Sequence, residues 1–253
     1  MIEFSVTGWS AWAPGLTQPQ DWLDWANGAA VAPSGDETPA LADVPAVMRR
    51  RIDRLGRMAI SAADACDTAA NRDDLPLVFV SRHGDVAGSV ELLHALGQSE
   101  ALSPTAFSLS VHNAVGALYS IVRKRRGNYL ALAAGAASVE NACVEVAGLL
   151  ADGAAEVLLI CYDGPLPDIY ADFAEEAATH FAWCWRIAPA DQPGERLSLD
   201  WDAPDGSDLD DAAPGASQSP LPHGLAVHRF LLQQQPQLDA TLDGQHWRWR
   251  RHG

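Results

Sequence analysis

Thiol chemistry is the first possibility that this sequence raises, because it contains four cysteines. They are isolated from one another, and no CxxC or Cys/His spacing indicates a zinc site, so we predict neither a metal nor a cofactor. Each lies in a predicted helix or strand, which is typical of a buried thiol acting as a small hydrophobic side chain. Without a signal peptide or a regular cysteine framework, we expect a cytoplasmic protein with reduced thiols. The four are Cys66, Cys143, Cys161 and Cys184.

Phosphoryl transfer is the second possibility, because VFVSRHGD places Arg82 and His83 directly after a predicted buried strand. Histidine phosphatases carry an RHG motif of this kind, in which the histidine is the nucleophile. Those enzymes need the motif close to their first strand, whereas here at least one strand and a long helix precede it. A histidine-phosphatase-like enzyme that uses Arg82 and His83 is therefore an alternative that depends on three residues.

A serine nucleophile has less support than either of these. Ser138 opens a predicted helix, no histidine lies near it in the sequence, and Glu140 and Asn141 are weak bases. A serine at a helix N-terminus is typically a structural hydrogen-bonding residue, so we predict no catalytic role for it.

Charge and hydropathy exclude two kinds of partner. The formal net charge of −16 argues against nucleic acid, and no apolar run approaches the roughly 20 residues that cross a bilayer, so we expect no stable membrane insertion. More than half of the 17 basic residues lie in two clusters. These are either solvated helix faces or a docking surface for an acidic carrier protein and its phosphopantetheine phosphate. The clusters are Arg49, Arg50, Arg51, Arg54 and Arg57, and Arg123, Lys124, Arg125 and Arg126.

The predicted elements alternate between strands and helices, which indicates an α/β fold with a mainly parallel mixed sheet covered by helices on both faces. LPLVFVS and AAEVLLICYD are buried-strand runs, Pro45 opens a long helical pattern, and another helix begins near Ser108 or Ser110 and continues to Ile121. HFAWCWRIA and RLSLDW predict a hairpin. A segment rich in Asp, Pro, Ser and Gly at about 202–222 predicts a mobile loop.

Three stretches in this order resemble the N-terminal half of the β-ketoacyl synthases: SRHGD, LSPTAFSLSVHNA and GNYLALAAGAASVENACVEVAGLLADG. The resemblance covers residues 1–165, and residues 166–253 look like a reduced remnant of the second half. It implies a truncated thiolase-like fold that forms a single domain, 1–253. At this length the chain is similar to the short ketosynthase-like subunits of aryl-polyene and xanthomonadin-type pigment clusters, which are regarded as chain-length factors.

The resemblance also locates the position of the family's nucleophile. In β-ketoacyl synthases a cysteine begins the helix after the strand, where the helix N-terminus stabilises its thiolate. Counting at the family's spacing forward from Gly127 and back from Gly153 reaches the same residue, Ala136, which follows Gly135. The chain therefore has no thiol at this elbow.

A general base is missing from the expected places as well. The second half of a complete ketosynthase brings two histidines and a lysine to the cysteine, but the single lysine here is Lys124, and His223 and His228 lie in a late helical pattern without the family's motif. The resemblance thus implies no enzyme activity by itself. It implies a subunit that forms a heterodimer with a full-length β-ketoacyl-ACP synthase, with acyl carrier protein as a further partner, and that shapes the acyl tunnel. A purely stabilising ketosynthase partner is the alternative.

The resemblance also implies positions for the acyl tunnel and the subunit interface, and the two basic clusters supply the positions for carrier docking. Tunnel positions are Ser81, His83, Ala106, Phe107, Ser110 and Val111. Interface positions are His112, Asn113, Asn128, Tyr129, Leu130, Ala131 and Leu132. Docking positions are Arg49, Arg50, Arg51, Arg54, Arg123, Lys124, Arg125 and Arg126.

Overall fold

The computed structural model describes residues 1–28, 31–68, 75–202 and 220–253. The helices are α1 (Pro19–Asn27), α2 (Ala46–Arg49), α3 (Arg54–Cys66), α4 (Val86–Gly97), α5 (Pro104–Leu109), α6 (Ala114–Arg123), α7 (Ser138–Ala151) and α8 (His223–Leu232). The strands are β1 (Ile2–Trp12), β2 (Leu77–Val80), β3 (Tyr129–Leu132), β4 (Val157–Asp163), β5 (Phe181–Pro189), β6 (Glu195–Asp202), β7 (Gln237–Leu242) and β8 (Gln245–His252). Short 3₁₀ turns cover Gly135–Ala137 and Asp168–Phe173.

The strands form one mixed sheet in the order β3-β2-β4-β5-β1-β6-β8-β7. Only the β2 pairings with β3 and β4 are parallel, and the other neighbours are antiparallel. The prediction of a mainly parallel sheet is therefore wrong. It took its evidence from the strand–helix alternation of the first half, whereas the strands added on the other side of β4 follow one another with few helices between them.

The predicted hairpin of HFAWCWRIA and RLSLDW is also wrong. Both stretches are strands, β5 and β6, but each pairs with β1 rather than with the other. The intervening residues cross over β1, so that the N-terminal strand lies between them. Two adjacent strand patterns in the sequence cannot reveal that a distant strand separates them, because pairing partners are not encoded in periodicity.

Helices cover both faces of the sheet, as predicted. On one face α3 presents the buried Met58, Ala59 and Ala62 to β4 and β5. On the other face α7 and α8 bury apolar side chains such as Val146 and Phe230. The two apolar clusters share the sheet as their common wall, and this places the start of α7 close to the ends of β2 and β4.

Two predicted helices are each interrupted. The pattern after Pro45 divides into α2 and α3, because Asp53 accepts a hydrogen bond from the N–H of Gly56 at 2.7 Å and so caps a new helix. The SVHNA segment divides α5 from α6 and leaves Ser110 to Asn113 in a non-helical break. Serine and asparagine favour turns over helix interiors, which explains the break.

Helices α4 and α5 lie outside the core. Every residue of both helices is at least partly exposed, including apolar ones such as Leu93 at 60% and Phe107 at 65%. No described helix is long and apolar enough to cross a membrane. Of the loop predicted at 202–222, all but Asp202 and residues 220–222 lies outside the described residues.

Candidate active-site remnant

The elbow between β3 and α7, where the resemblance predicts a nucleophile, carries Ala136. Gly135 has φ +59°, a left-handed conformation that glycine adopts without strain, and it turns the chain from the strand into the 3₁₀ turn and α7. Ala136 follows at the start of this turn, so its methyl group stands where a functional side chain would be presented. The position that the spacing predicts is thus structurally an elbow.

A carboxylate from the end of the chain occupies the helix N-terminus at this elbow. Asp243, in the turn between β7 and β8, accepts a hydrogen bond from the N–H of Ala137 at 3.0 Å. A Cβ on Gly135 would lie only 2.6 Å from the Oδ2 of Asp243, so this approach also depends on glycine. The N–H groups and the positive end of the helix dipole would otherwise stabilise a thiolate or an oxyanion. Here the carboxylate of Asp243 already accepts a hydrogen bond from one of these N–H groups.

Asp163, the last residue of β4, ties the loop after β2 to this site. Its carboxylate accepts hydrogen bonds from the Ser81 hydroxyl at 2.7 Å and from the N–H groups of Arg82 at 3.0 Å and His83 at 3.3 Å. Burial raises the pKa of Asp163 to about 6, and these donors oppose the rise because they favour the ionised form. The cavity between Ala136, Ser81 and Asp163 measures only about 20 Å³. That volume is roughly the space of one water molecule, so no substrate fits.

The fold brings a histidine beside Ala136 that sequence reasoning did not place there. His223 begins α8 and lines the same small cavity. Its Nε2 lies 2.6 Å from the Oε1 of Glu140, which also accepts a hydrogen bond from Trp249 Nε1 at 2.9 Å. Burial favours the neutral imidazole, but the Glu140 carboxylate outweighs it and raises the pKa of His223. The ring is therefore engaged with Glu140 rather than available as a base for position 136.

Arg82 of the RHG segment is similarly occupied. Its guanidinium forms ion pairs with Glu175 and Glu176, and the second carboxylate also accepts the N–H of His223. Burial and the adjacent Arg82 lower the pKa of His83, which is half-buried. A phosphate would meet these carboxylates together with Asp163, so the arrangement opposes the phosphoryl transfer considered above. Within the described ranges, no three His, Cys, Asp or Glu side chains converge as metal ligands would.

Residues 22–250 match the family described as Beta-ketoacyl synthase, N-terminal domain. The chain belongs to this family. Its fold is similar to a ketosynthase in complex with its chain length factor from Xenorhabdus doucetiae, with TM-score 0.81 and 24% identity over 99% of this chain and 100% of that chain. It is also similar to the ishigamide ketosynthase/chain length factor, with TM-score 0.64 and 16% identity over 83% and 69%. A β-ketoacyl synthase from Burkholderia phymatum has TM-score 0.59 and 13% identity over 80% and 65%.

None of the curated proteins matches the chain. The likeness to the solved structures confirms the thiolase-like ketosynthase fold that the sequence predicts.

The four cysteines of this ketosynthase-family chain are free and buried, as predicted. Burial raises the pKa of the thiols of Cys143, Cys161 and Cys184, whereas a hydrogen bond with Cys184 lowers that of Cys66. Cys161 lines the small cavity but lies on β4 at a fully buried position. None of the four stands at the ketosynthase elbow.

The positions implied for the acyl tunnel fall into two groups. Ser81 and His83 lie in the loop after β2, and Ser81 is fully buried beneath Asp163. Ala106 and Phe107 lie on α5, and Ser110 and Val111 in the break that follows it. Phe107 does not enter this chain's own core, because 65% of its surface is exposed.

The segment implied as the subunit interface is an edge strand. Tyr129–Leu132 pairs with β2 on one side, and β3 ends the strand order of the sheet formed by the described residues. Leu130 is exposed there. At the α5–α6 break, the imidazole of His112 is bonded to the same strand, and Asn113 is exposed and precedes α6.

Most of the clustered arginines make contacts within the chain. Arg49 and Arg54 donate to backbone carbonyls, and Arg123 pairs with Asp43 and Asp64. Arg125 is buried in an ion pair with Asp67, which also accepts from the Tyr119 hydroxyl, so it cannot reach a carrier protein. The basic side chains exposed in the two clusters are Arg50, Arg51, Lys124 and Arg126.

Proposed function

We propose that this chain is a non-catalytic, chain-length-factor-like subunit that pairs with an active β-ketoacyl-ACP synthase and shapes its acyl tunnel. The observation that carries the proposal is the elbow itself. It turns the chain from β3 into α7 at Gly135 and holds Ala136 where the family carries its nucleophile, with the Asp243 carboxylate bonded to the N–H of Ala137. A chain under selection for catalysis would keep that N-terminus open to a developing negative charge.

Three further features support the absence of condensing activity. The cavity beside Ala136 holds about 20 Å³, which excludes an acyl thioester. His223, the imidazole nearest to the elbow cavity, is bonded to Glu140. The four thiols are buried, and none stands at position 136. Restoring a single residue would therefore leave the other obstacles in place.

A partner surface is supported by apolar side chains that the isolated chain leaves exposed. Helices α4 and α5 contact each other, and α6 contacts β3. We call the exposed apolar residues on these elements the partner face. Contiguous exposed apolar patches beyond a few hundred Å² mark interaction sites, and an uncovered edge strand such as β3 invites pairing with another chain. The partner face consists of Leu93, Leu96, Phe107, Val111, Ile121 and Leu130.

The tunnel role follows from where α5 lies on this face. Ala106, Phe107, Ser110 and Val111 belong to α5 and its C-terminal break, and α5 has no buried residue that would turn it into the chain's own core. When the partner covers this face, these side chains become candidates for the end wall of the partner's tunnel. Their bulk would set the longest acyl chain, since overpacking by a few methylenes costs roughly 1–3 kcal/mol.

Docking of acyl carrier protein is the least supported part of the proposal. The exposed Arg50, Arg51 and Lys124 are cations in a chain whose formal net charge is −16, so they are places where an acidic carrier or its phosphate would be attracted.

The tunnel role can be tested in a reconstituted system with the partner ketosynthase. Replacing Ser110→Phe should shorten the product while the complex stays intact, because the added ring meets the chain only after several extensions. Ser108→Phe, two residues earlier near the end of α5 but outside the tunnel positions, is the matched control and should leave product length unchanged. If Ser110→Phe also leaves the length distribution unchanged in an intact complex, the chain is a purely stabilising partner.

A further inference from the structure

A histidine fixes the tunnel-facing break to the sheet, and we propose that His112 is the positioning residue that keeps the acyl-chain length uniform. This inference rests on the proposed tunnel role. It adds that the length limit depends on where the α5–α6 break is held as well as on the size of its side chains.

The first contact of His112 is with the strand at the sheet edge. Its Nε2 lies 3.0 Å from the carbonyl oxygen of Leu132, the last residue of β3. A carbonyl can only accept, so Nε2 carries the hydrogen and donates it. The same carbonyl accepts the N–H of Ser81 at 3.2 Å, which joins the ends of β2 and β3. His112 therefore ties the break to the point where two parallel strands end.

The second contact of His112 is with the loop after β2. Gly84 has φ +65°, and a Cβ built on it would lie 2.8 Å from the Nδ1 of His112, so the imidazole sits directly against the glycine backbone. The N–H of Gly84 in turn donates to the Ser81 hydroxyl at 2.8 Å, and that hydroxyl donates to Asp163. A larger residue at position 84 would collide with the imidazole and strain the backbone.

These contacts matter because α5 is otherwise held by partly buried contacts, those of Leu109 with the core and those with α4. Every residue of α5 is at least partly exposed, and Phe107 and Val111 point out of the chain's own core. A short helix with few buried contacts opens locally at low cost. The hydrogen bond from His112 to the Leu132 carbonyl therefore contributes much of what fixes the position of α5 and the break after it.

The expected consequence differs from that of a bulky substitution. Ser110→Phe moves the mean product length because it changes the volume of the wall. Loss of the His112 bond lets the wall occupy several positions, so the distribution should become wider around a similar mean.

The experiment compares His112→Leu, which removes the donor, with His112→Gln, which keeps an N–H donor on a flexible side chain. Hydrogen exchange of residues 104–113 is measured in the free subunit, and product length and complex affinity are measured with the partner ketosynthase. His112→Leu should speed exchange about three- to tenfold, the equivalent of one net hydrogen bond, and widen the product distribution. His112→Gln should restore both in part, and His246→Leu on β8 is the control for losing a histidine elsewhere.

Gly84→Ala should reproduce the effect of His112→Leu, and the double variant should add little, because both changes break one contact. The inference is overturned if His112→Leu leaves exchange unchanged, or if exchange rises while product width stays constant and Ser110→Phe still shifts the mean. Failure of Ser110→Phe to shift the mean would instead reject the proposed tunnel role, while the exchange data still decide whether His112 fixes the break.

Discussion

Two regions of the molecule differ in how far they bury their apolar side chains. We call them the tryptophan end and the α4–α5 end. Around β5, β1 and β8 the side chains of Trp183, Trp185 and Trp249 are fully buried, and α8 closes over them. At the other end α4 and α5 carry apolar side chains that stay exposed. The tryptophan end therefore buries its apolar side chains within the chain, whereas the α4–α5 end leaves several of its own exposed.

A buried histidine shows how complete the tryptophan end is. His228 stacks on Trp183 at 5.6 Å and 10°, meets the edges of Trp9 and Trp22 at 5.4 Å each, and accepts a hydrogen bond from Trp185 Nε1 at 3.0 Å through Nδ1. Because Nδ1 accepts, the neutral ring carries its hydrogen on Nε2. Burial lowers the pKa of His228 to about 3.

The largest expected difference between the two ends is in stability. Trp185→Ala should reduce the free energy of unfolding of the isolated subunit by about 3–5 kcal/mol, since it leaves a cavity and removes the hydrogen bond to His228. Leu93→Ala on α4 should change it by less than about 0.5 kcal/mol, since this side chain is already exposed. Urea denaturation followed by tryptophan fluorescence and circular dichroism measures both, and equal losses would contradict the contrast.

The next effect is a dependence of stability on pH that belongs to the tryptophan end. His228 is protonated with a pKa of about 3 in the folded chain and about 6.5 when unfolded. The unfolded state thus binds more protons between these values, so stability is complete above pH 6.5 and is lost as the pH falls. The slope should be about 1.4 kcal/mol per pH unit.

Several other groups act in the same pH range, among them His83, whose pKa burial also lowers, so a variant is needed to isolate His228. Burial lowers the pKa of His180 to about 4, which acts in the same direction. The raised pKa of Asp163, about 6, acts in the opposite direction, because the folded state binds its proton more tightly and stability falls as pH rises from about 4 to 6. His228→Leu should remove only its own share of the slope. Identical slopes in the wild type and the variant would refute the assignment.

The sequence predicts features that depend on local patterns but not those that depend on long-range pairing. The strands β2 and β4 are continuous apolar runs, and the elbow at Ala136 follows from spacing to two glycines, so local patterns located both. The insertion of β1 between β5 and β6 is a long-range pairing, and no local pattern reports it.

The residues around the elbow could be predicted only in part, because some of them come from distant parts of the chain. His223 and Asp243 reach the elbow through α8 and the β7–β8 turn, far along the chain from Ala136. One signal was available: Asp243 and Gly244, both with positive φ, form a DG turn flanked by alternating residues, which is typical of a hairpin. That signal predicts the turn but not the helix it reaches.

The third prediction concerns the α4–α5 end, where the partner face lies. Phe107→Asp should weaken binding to the partner ketosynthase about 10- to 100-fold, because a charge would replace the aromatic side chain of the partner face. Its effect on the stability of the isolated subunit should be small, since the ring is 65% exposed. Ile169→Asp is the matched control, being a similarly exposed apolar residue outside the partner face. The affinity of each variant for the partner ketosynthase is measured by calorimetry or interferometry. Equal losses of affinity for both variants would show that the partner does not bind at this face.

The smallest expected effect is on the reactivity of a thiol introduced at the elbow. A thiol introduced by Ala136→Cys would lie in the 3₁₀ turn that leads into α7, and a helix N-terminus ordinarily lowers the pKa of a nearby thiol. The Asp243 carboxylate, which accepts the N–H of Ala137 at 3.0 Å, should cancel that benefit. Adding Asp243→Asn keeps an acceptor for this N–H and removes the charge. We expect the second change to lower the thiol pKa by about one unit and to speed alkylation at pH 7 up to about tenfold.

The measurement is the pH dependence of alkylation by iodoacetamide, with the four native cysteines as internal references because they are buried. Asp239→Asn in place of Asp243→Asn is the matched control, since Asp239 is an exposed aspartate on β7 of the same hairpin. If the two double variants alkylate alike, Asp243 does not set the electrostatics of the elbow. The lack of a nucleophile would then rest on Ala136 alone. A tenfold gap specific to Asp243→Asn would mean that the charge arrangement at the elbow, as well as the missing sulfur, opposes a thiolate nucleophile there.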